Sequence, residues 1–164
     1  MGFLLRSVVV VGVVLALAAC GGGGPECTAI GSPSGLTVDV RAPDASRIAS
    51  ASLRVCWDGA CHEPRIELRA SSKSVPMDCE GDEPDAVCGA SASPDGGKIG
   101  FAQVQGLPKT PVQVTLTLSD AQGGTIVERR VGVTPEATFP NGEHCGEGGP
   151  QARLTVAGGA VTTG

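Results

Sequence analysis

Val112-Gln113-Val114-Thr115-Leu116-Thr117-Leu118-Ser119 is the stretch that decides the fold. Its apolar residues fall on every second position with polar ones between them, the period of a β-strand that shows one face to a core and one to water. Leu36-Thr37-Val38-Asp39-Val40-Arg41 repeats the pattern near the start of the chain. Working outward, the sequence predicts strands over residues 36–41, 50–57, 62–69, 99–105, 112–118, 125–133 and 152–157. Turn-forming groups punctuate them: Ala42-Pro43-Asp44, Ser93-Pro94-Asp95-Gly96-Gly97, Gly106-Leu107-Pro108 and Asp120-Ala121-Gln122-Gly123-Gly124. No stretch after the first twenty residues reads as an amphipathic helix. About seven short strands of this kind predict an all-β chain folded as an antiparallel β-sandwich.

Val55-Cys56-Trp57-Asp58-Gly59-Ala60-Cys61-His62 adds a register. Asp-Gly is a strong signal for a two-residue hairpin turn, because both turn positions need positive φ. Trp57 and Ala60 then form the closing hydrogen-bonded pair, and Cys56 faces Cys61 in the next pair, close enough for a disulfide. The same register sets Arg54 against Glu63 and sends Leu53, Val55 and Trp57 to the other face. Pro64 falls on a hydrogen-bonding position, so the pairing must break or bulge there. Cys79 and Cys88 bracket a turn-rich stretch and are expected to form a second local bridge. Cys27 and Cys145 are the pair left over, closing a long loop at the two ends of the domain. A zinc site at Cys56, Cys61 and His62 is the alternative, but the paired Cys-x2-Cys elements of zinc ribbons are absent.

The first twenty residues say where the protein lives. Arg6 precedes the apolar run Val8-Val9-Val10-Val11-Gly12-Val13-Val14-Leu15-Ala16-Leu17-Ala18-Ala19, which ends at Cys20. As a helix this run spans about 18 Å, short of a hydrocarbon core of about 30 Å. Leu17-Ala18-Ala19-Cys20 resembles the cleavage motif of bacterial lipoprotein signal peptides. That resemblance implies a helical signal peptide over residues 1–19 and a diacylglycerol thioether on Cys20, with several acyl chains giving stable anchoring. Residues 20–35 follow as a glycine-rich tether, since a run such as Gly21-Gly22-Gly23-Gly24 has no side chains to pack. Residues 36–164 are the expected disulfide-bonded domain. Six cysteines remain after Cys20, an even number that suits an oxidising compartment.

The strand pattern also resembles immunoglobulin-like and fibronectin-type modules, above all in Phe101-Ala102-Gln103-Val104-Gln105-Gly106-Leu107-Pro108 and the Val112 strand that follows. The antibody spacing of Cys, Trp and Cys is missing. Taken whole, with Cys56-Trp57-Asp58-Gly59-Ala60-Cys61 and Pro140-Asn141-Gly142-Glu143-His144-Cys145, the chain is similar to small lipoproteins of actinobacterial type. This implies the outer face of the bacterial cytoplasmic membrane and adds nothing about activity.

Chemistry has few footholds. Seventeen acids against twelve bases give a net charge of −5, which argues against nucleic acid and against polybasic adhesion to lipid. One Trp, three Phe and no Tyr leave little for an aromatic binding platform. His62 and His144 belong to no recognisable catalytic arrangement, and Gly-x-Ser-x-Gly, His-Glu-x-x-His and phosphate-loop motifs are absent from the sequence. The expectation is therefore no enzyme and no cofactor. The sharpest candidate site is the acidic group Asp78, Glu80, Asp82, Glu83 and Asp85, hard oxygen ligands of the kind that hold calcium, although a solvated acidic loop is the commoner reading. The sequence thus predicts a lipid-anchored, non-catalytic binding or structural module facing an unidentified protein or envelope ligand. Alternatives are an inhibitor or accessory subunit of a secreted enzyme, with the loop between Cys79 and Cys88 entering its cleft, and a small hydrolase.

Overall fold

The computed structural model of the chain describes residues 27–81 and 87–164. The chain divides into two units, Met1–Ile30 and Gly31–Gly164. The described residues 27–30 of the first are exposed. The signal peptide and Cys20 lie outside the described residues. Among the described residues, no helix is long and apolar enough to cross a membrane.

Among the described residues, the second unit is an all-β sandwich of nine strands: β1 Gly35–Val40, β2 Ser50–Trp57, β3 Ala60–His62, β4 Arg69–Glu80, β5 Val87–Gln103, β6 Val112–Ser119, β7 Thr125–Val133, β8 Gln151–Ala157 and β9 Ala160–Thr163. One sheet runs β4-β5-β1-β8-β9 and the other β3-β2-β6-β7. Every pairing is antiparallel except β1 with β8, which is parallel. In the constant-type immunoglobulin order the first two strands are neighbours in one sheet. Here β1 and β2 sit in opposite sheets.

The alternation that predicts the sandwich is what fills it. Val112, Val114, Leu116 and Leu118 of β6 are buried, as are Leu53 and Val55 of β2, and they face Leu36, Val38 and Val40 of β1 with Leu154 and Val156 of β8. The buried core is aliphatic among the described residues. Trp57 is half-buried at its margin. Each aliphatic side chain so buried stabilises by about 1.5–3 kcal/mol relative to exposure.

Two expected elements take a different form. Residues 62–69 do alternate, with Pro64, Ile66 and Leu68 half-buried and Arg65, Glu67 and Arg69 exposed. The strand nevertheless stops at His62, and residues 63–68 cross from β3 to β4 without joining either ladder. Pro64 accounts for the break, since it has no N–H to offer β2. Ile66 and Leu68 pack against the core from the open side. Gly100 of β5 makes room for them: a Cβ there would lie 2.6 Å from the Glu67 carbonyl oxygen and 2.9 Å from Ile66 Cγ1.

The group Ser93-Pro94-Asp95-Gly96-Gly97 does not end a strand. It lies inside β5, where Ala70 pairs with Lys98 and Ser72 with Pro94, so that Asp95, Gly96 and Gly97 bulge opposite Ser71. Gly96 takes φ 77°, and Asp95 Oδ1 accepts from the Gly97 N–H at 2.9 Å and the Ser71 hydroxyl at 2.5 Å. Glycine and an Asx contact therefore serve a bulge here rather than a chain reversal.

Candidate functional site

Four features of the second unit present chemistry, three at its surface and one buried. The first is the β2–β3 hairpin. Cys56 pairs with Cys61 and Trp57 with Ala60, and Asp58 and Gly59 take φ 47° and 77°, as a two-residue turn of positive φ requires. The Cys56–Cys61 bridge has Cα atoms 4.1 Å apart. Arg54 Nε lies 3.7 Å from Glu63 Oε1, the outward ion pair the register predicts. His62 stacks on Trp57 with ring centroids 4.2 Å apart and planes 14° from parallel. The stack places His62 as a cover for the half-buried indole.

The second is the connector of residues 63–68. Its exposed side lines a cleft of about 440 Å³ with Arg65, Glu67, Arg69, Phe101 and Gln103. A second cleft of about 460 Å³ lies between it and β2, lined by Ser52, Arg54, Glu63, Arg65 and Thr115. Arg65, Glu67 and Arg69 make no ion pair among the described residues. Phe101 is 37% exposed and its ring lies over Gly35, where a Cβ would come within 2.5 Å of the ring.

The third is the outer half of the β4–β5 hairpin. Residues 72–79 of β4 are exposed, and so are residues 87–92 of β5. The second bridge, Cys79–Cys88, closes this ribbon near its end with Cα atoms 4.1 Å apart. A bulge between Pro76 and Cys79 sets Met77 and Asp78 opposite Gly89. Val75, Met77 and Val87 are exposed apolar residues, at 37%, 55% and 75%, and Met77 extends across Gly89. Of the acidic group, Asp78 is exposed and Glu80 is the last residue of β4. Asp82, Glu83 and Asp85 lie outside the described residues.

The fourth is a buried carboxylate. Asp44 is 3% exposed in the 3-10 turn Asp44–Ser46. Its Oδ2 accepts from the Gly159 N–H at 3.0 Å, and its Oδ1 from Arg47 at 2.9 Å. Those contacts, the Gly159 N–H foremost, hold its pKa below the ordinary aspartate value. Asp95 is lowered too, chiefly by the Ser71 hydroxyl and then by the Gly97 N–H. Both carboxylates organise turns: Asp44 ties the β1–β2 connection to the β8–β9 hairpin, and Asp95 holds the β5 bulge.

Sequence reasoning located the first feature by its register. It also yields the Cys79–Cys88 bridge but not the ribbon strands that the bridge joins, since exposure on both faces leaves no apolar alternation to find, and it does not reveal the buried role of Asp44. Cys27, in the first unit, and Cys145, in the second, are each disulfide-bonded. Compared with known proteins, the chain matches no family model, no curated protein and no solved structure.

Proposed function

We propose that the chain is a lipid-anchored, extracytoplasmic, non-catalytic binding module that engages a protein of the cell envelope through the β4–β5 ribbon. The ribbon carries this reading. A two-stranded hairpin without a core beneath it is marginal in water, yet this one is stapled at its outer end and keeps Val75, Met77 and Val87 exposed. Covering those side chains in a partner would recover the burial they lack. The anchor rests on the sequence around Cys20.

The accessory-subunit or inhibitor reading is a specific form of the same proposal, favoured by the shape of the ribbon, whose bridged end is narrow enough to enter a cleft. A photo-crosslinker placed at Met77 or Val87 in intact cells is expected to trap one discrete protein. The same probe at Arg129 on β7 should not trap it, and the Cys79→Ser/Cys88→Ser chain should lose it. Equal capture from Arg129 would sink the ribbon as the binding element. The anchor is tested separately by fatty-acid labelling, which Cys20→Ala is expected to abolish.

A further inference from the structure

The outer half of the β4–β5 ribbon has two wet faces, and the register sorts its side chains between them. Along β5, Val87, Gly89, Ser91 and Ser93 share one face, and Cys88, Ala90, Ala92 and Pro94 share the other. Residues opposite each other in a ladder lie on the same face. Val75, opposite Ser91, and Lys73, opposite Ser93, therefore join Val87 on the first face. Ser74 and Pro76, opposite Ala92 and Ala90, join the Cys79–Cys88 bridge on the second. Gly89 places Met77: a Cβ built there would lie 3.7 Å from Met77 Cε and 3.9 Å from Sδ, so the thioether runs along the first face. Val75, Met77 and Val87, the large apolar side chains this ribbon exposes among the described residues, thus share one side.

The bulge keeps them together. Val75, Met77 and Cys79 stand two residues apart, so an unbroken ladder would put the disulfide in line with the two apolar side chains. The extra residue between Pro76 and Cys79 shifts the alternation, and Cys79 meets Cys88 on the opposite face. The ribbon also carries one sign of charge. From residue 74 to residue 97 the sequence has no Lys or Arg, and it has Asp78, Glu80, Asp82, Glu83, Asp85 and Asp95. Those six acids exceed the net charge of −5 of the whole chain. Asp78 is exposed in the bulge, next to Met77.

We propose that the ribbon docks by this one face, and that its partner is a cationic protein surface, an apolar groove that takes Val75, Met77 and Val87 and is rimmed by lysine or arginine. The inference rests on the ribbon as the binding element; it adds which face binds and what chemistry meets it. Burial of the aliphatic and thioether side chains supplies affinity. Opposite charge at the rim supplies encounter rate and choice of partner. The same negative sign works against an anionic lipid surface and against a second copy of this chain, whose ribbon would bring like charge to like.

Photo-crosslinkers at Ser91 and at Ala92 test the face, because the two positions are neighbours on β5 and point to opposite sides. In intact cells Ser91 is expected to trap the same protein as Met77, with a yield at least about tenfold above that of Ala92. The fragment joined to Ser91 should carry lysine or arginine beside apolar residues. On isolated membranes, Asp78→Lys and, separately, salt raised to about 0.5 M should each lower the yield from Ser91 by about fivefold or more. Non-reducing peptide mapping should find the Cys79–Cys88 bridge intact in every variant. Equal or greater trapping from Ala92 overturns the docking face and leaves the ribbon as the binding element. Trapping from Ser91 that is indifferent to Asp78→Lys or to salt, or that joins an acidic fragment or a second copy of this chain, overturns the cationic partner. Silence at Met77, Val87 and Ser91 together would remove the ribbon reading, and this inference with it.

Discussion

The two bridged hairpins are built alike at their disulfides and unlike everywhere else. In each, the cysteines are cross-strand partners with Cα atoms 4.1 Å apart. Beneath the β2–β3 bridge lie Val55 and Leu53, buried against β6, with Trp57 at their side. Along the β4–β5 ribbon the residues flanking the bridge are exposed on both strands. A disulfide laid over a packed strand adds to a pairing the core already enforces. The same bond in a ribbon without a core stands in for the packing. What the bond does is therefore set by what lies under it.

The largest effect is expected where the core is deepest. Leu116→Ala in β6 removes a fully buried side chain and should lower global stability by about 2–5 kcal/mol in denaturant melts. If the ribbon is energetically separate, the exchange of amides in its outer half should scarcely respond.

Next come the bridges. In the chain-entropy model a loop this short is worth about 2–3 kcal/mol to whatever unit it closes. For Cys79→Ser/Cys88→Ser that unit is the ribbon, so proteolytic cutting between residues 72 and 94 should rise by between about 30- and 100-fold. Its thermal midpoint should move little. Cys56→Ser/Cys61→Ser should do the opposite, lowering the midpoint without opening a local cutting site. A ribbon bridge that shifts the midpoint as far as the core bridge would erase the contrast.

Acid should act where the lowered carboxylates sit, at Asp44 beside the β8–β9 turn and at Asp95 in the β5 bulge. The folded pKa of Asp44 lies below its unfolded value. Its contribution is therefore complete above the ordinary aspartate pKa of about 4, and is lost as pH falls from there through the lowered folded value. Asp44→Asn should flatten that part of the stability profile. An unchanged acid limb would remove Asp44 as the tie between the β1–β2 connection and the β8–β9 turn. The smallest effect belongs to Met77→Ala, expected within about 0.5 kcal/mol of wild type because the side chain is 55% exposed. The same change should matter for partner capture, which separates binding from folding.

The sequence made the core legible because burial on one face writes a period of two, as at Val112 through Leu118. It gave the β2–β3 register because Asp58-Gly59 fixes a turn and the cysteines confirm the pairing. Residues 71–76, Ser-Ser-Lys-Ser-Val-Pro, escaped because both faces of the ribbon are wet and nothing selects apolar residues on either. Asp95-Gly96-Gly97 misled because a bulge and a turn draw on the same backbone freedom. The connector, expected as a strand over residues 62–69, alternates in burial yet joins no ladder over residues 63–68: period reports which side faces the core, and says nothing about who lies alongside.

The parallel pairing of β1 with β8 sets an order of events. β1 is central in its sheet, with β5 on one side and β8 on the other, and Leu36 lies against Ala152. A nascent chain releases residue 36 long before residue 152, so the middle of that sheet waits for β8. Such long-range closure places folding in the slow range, milliseconds to seconds. A product cut short before β8 would keep Leu36, Val38 and Val40 with one neighbour missing. Loss of β8 is therefore expected to turn β1 from a central strand into an exposed edge, paired with β5 alone.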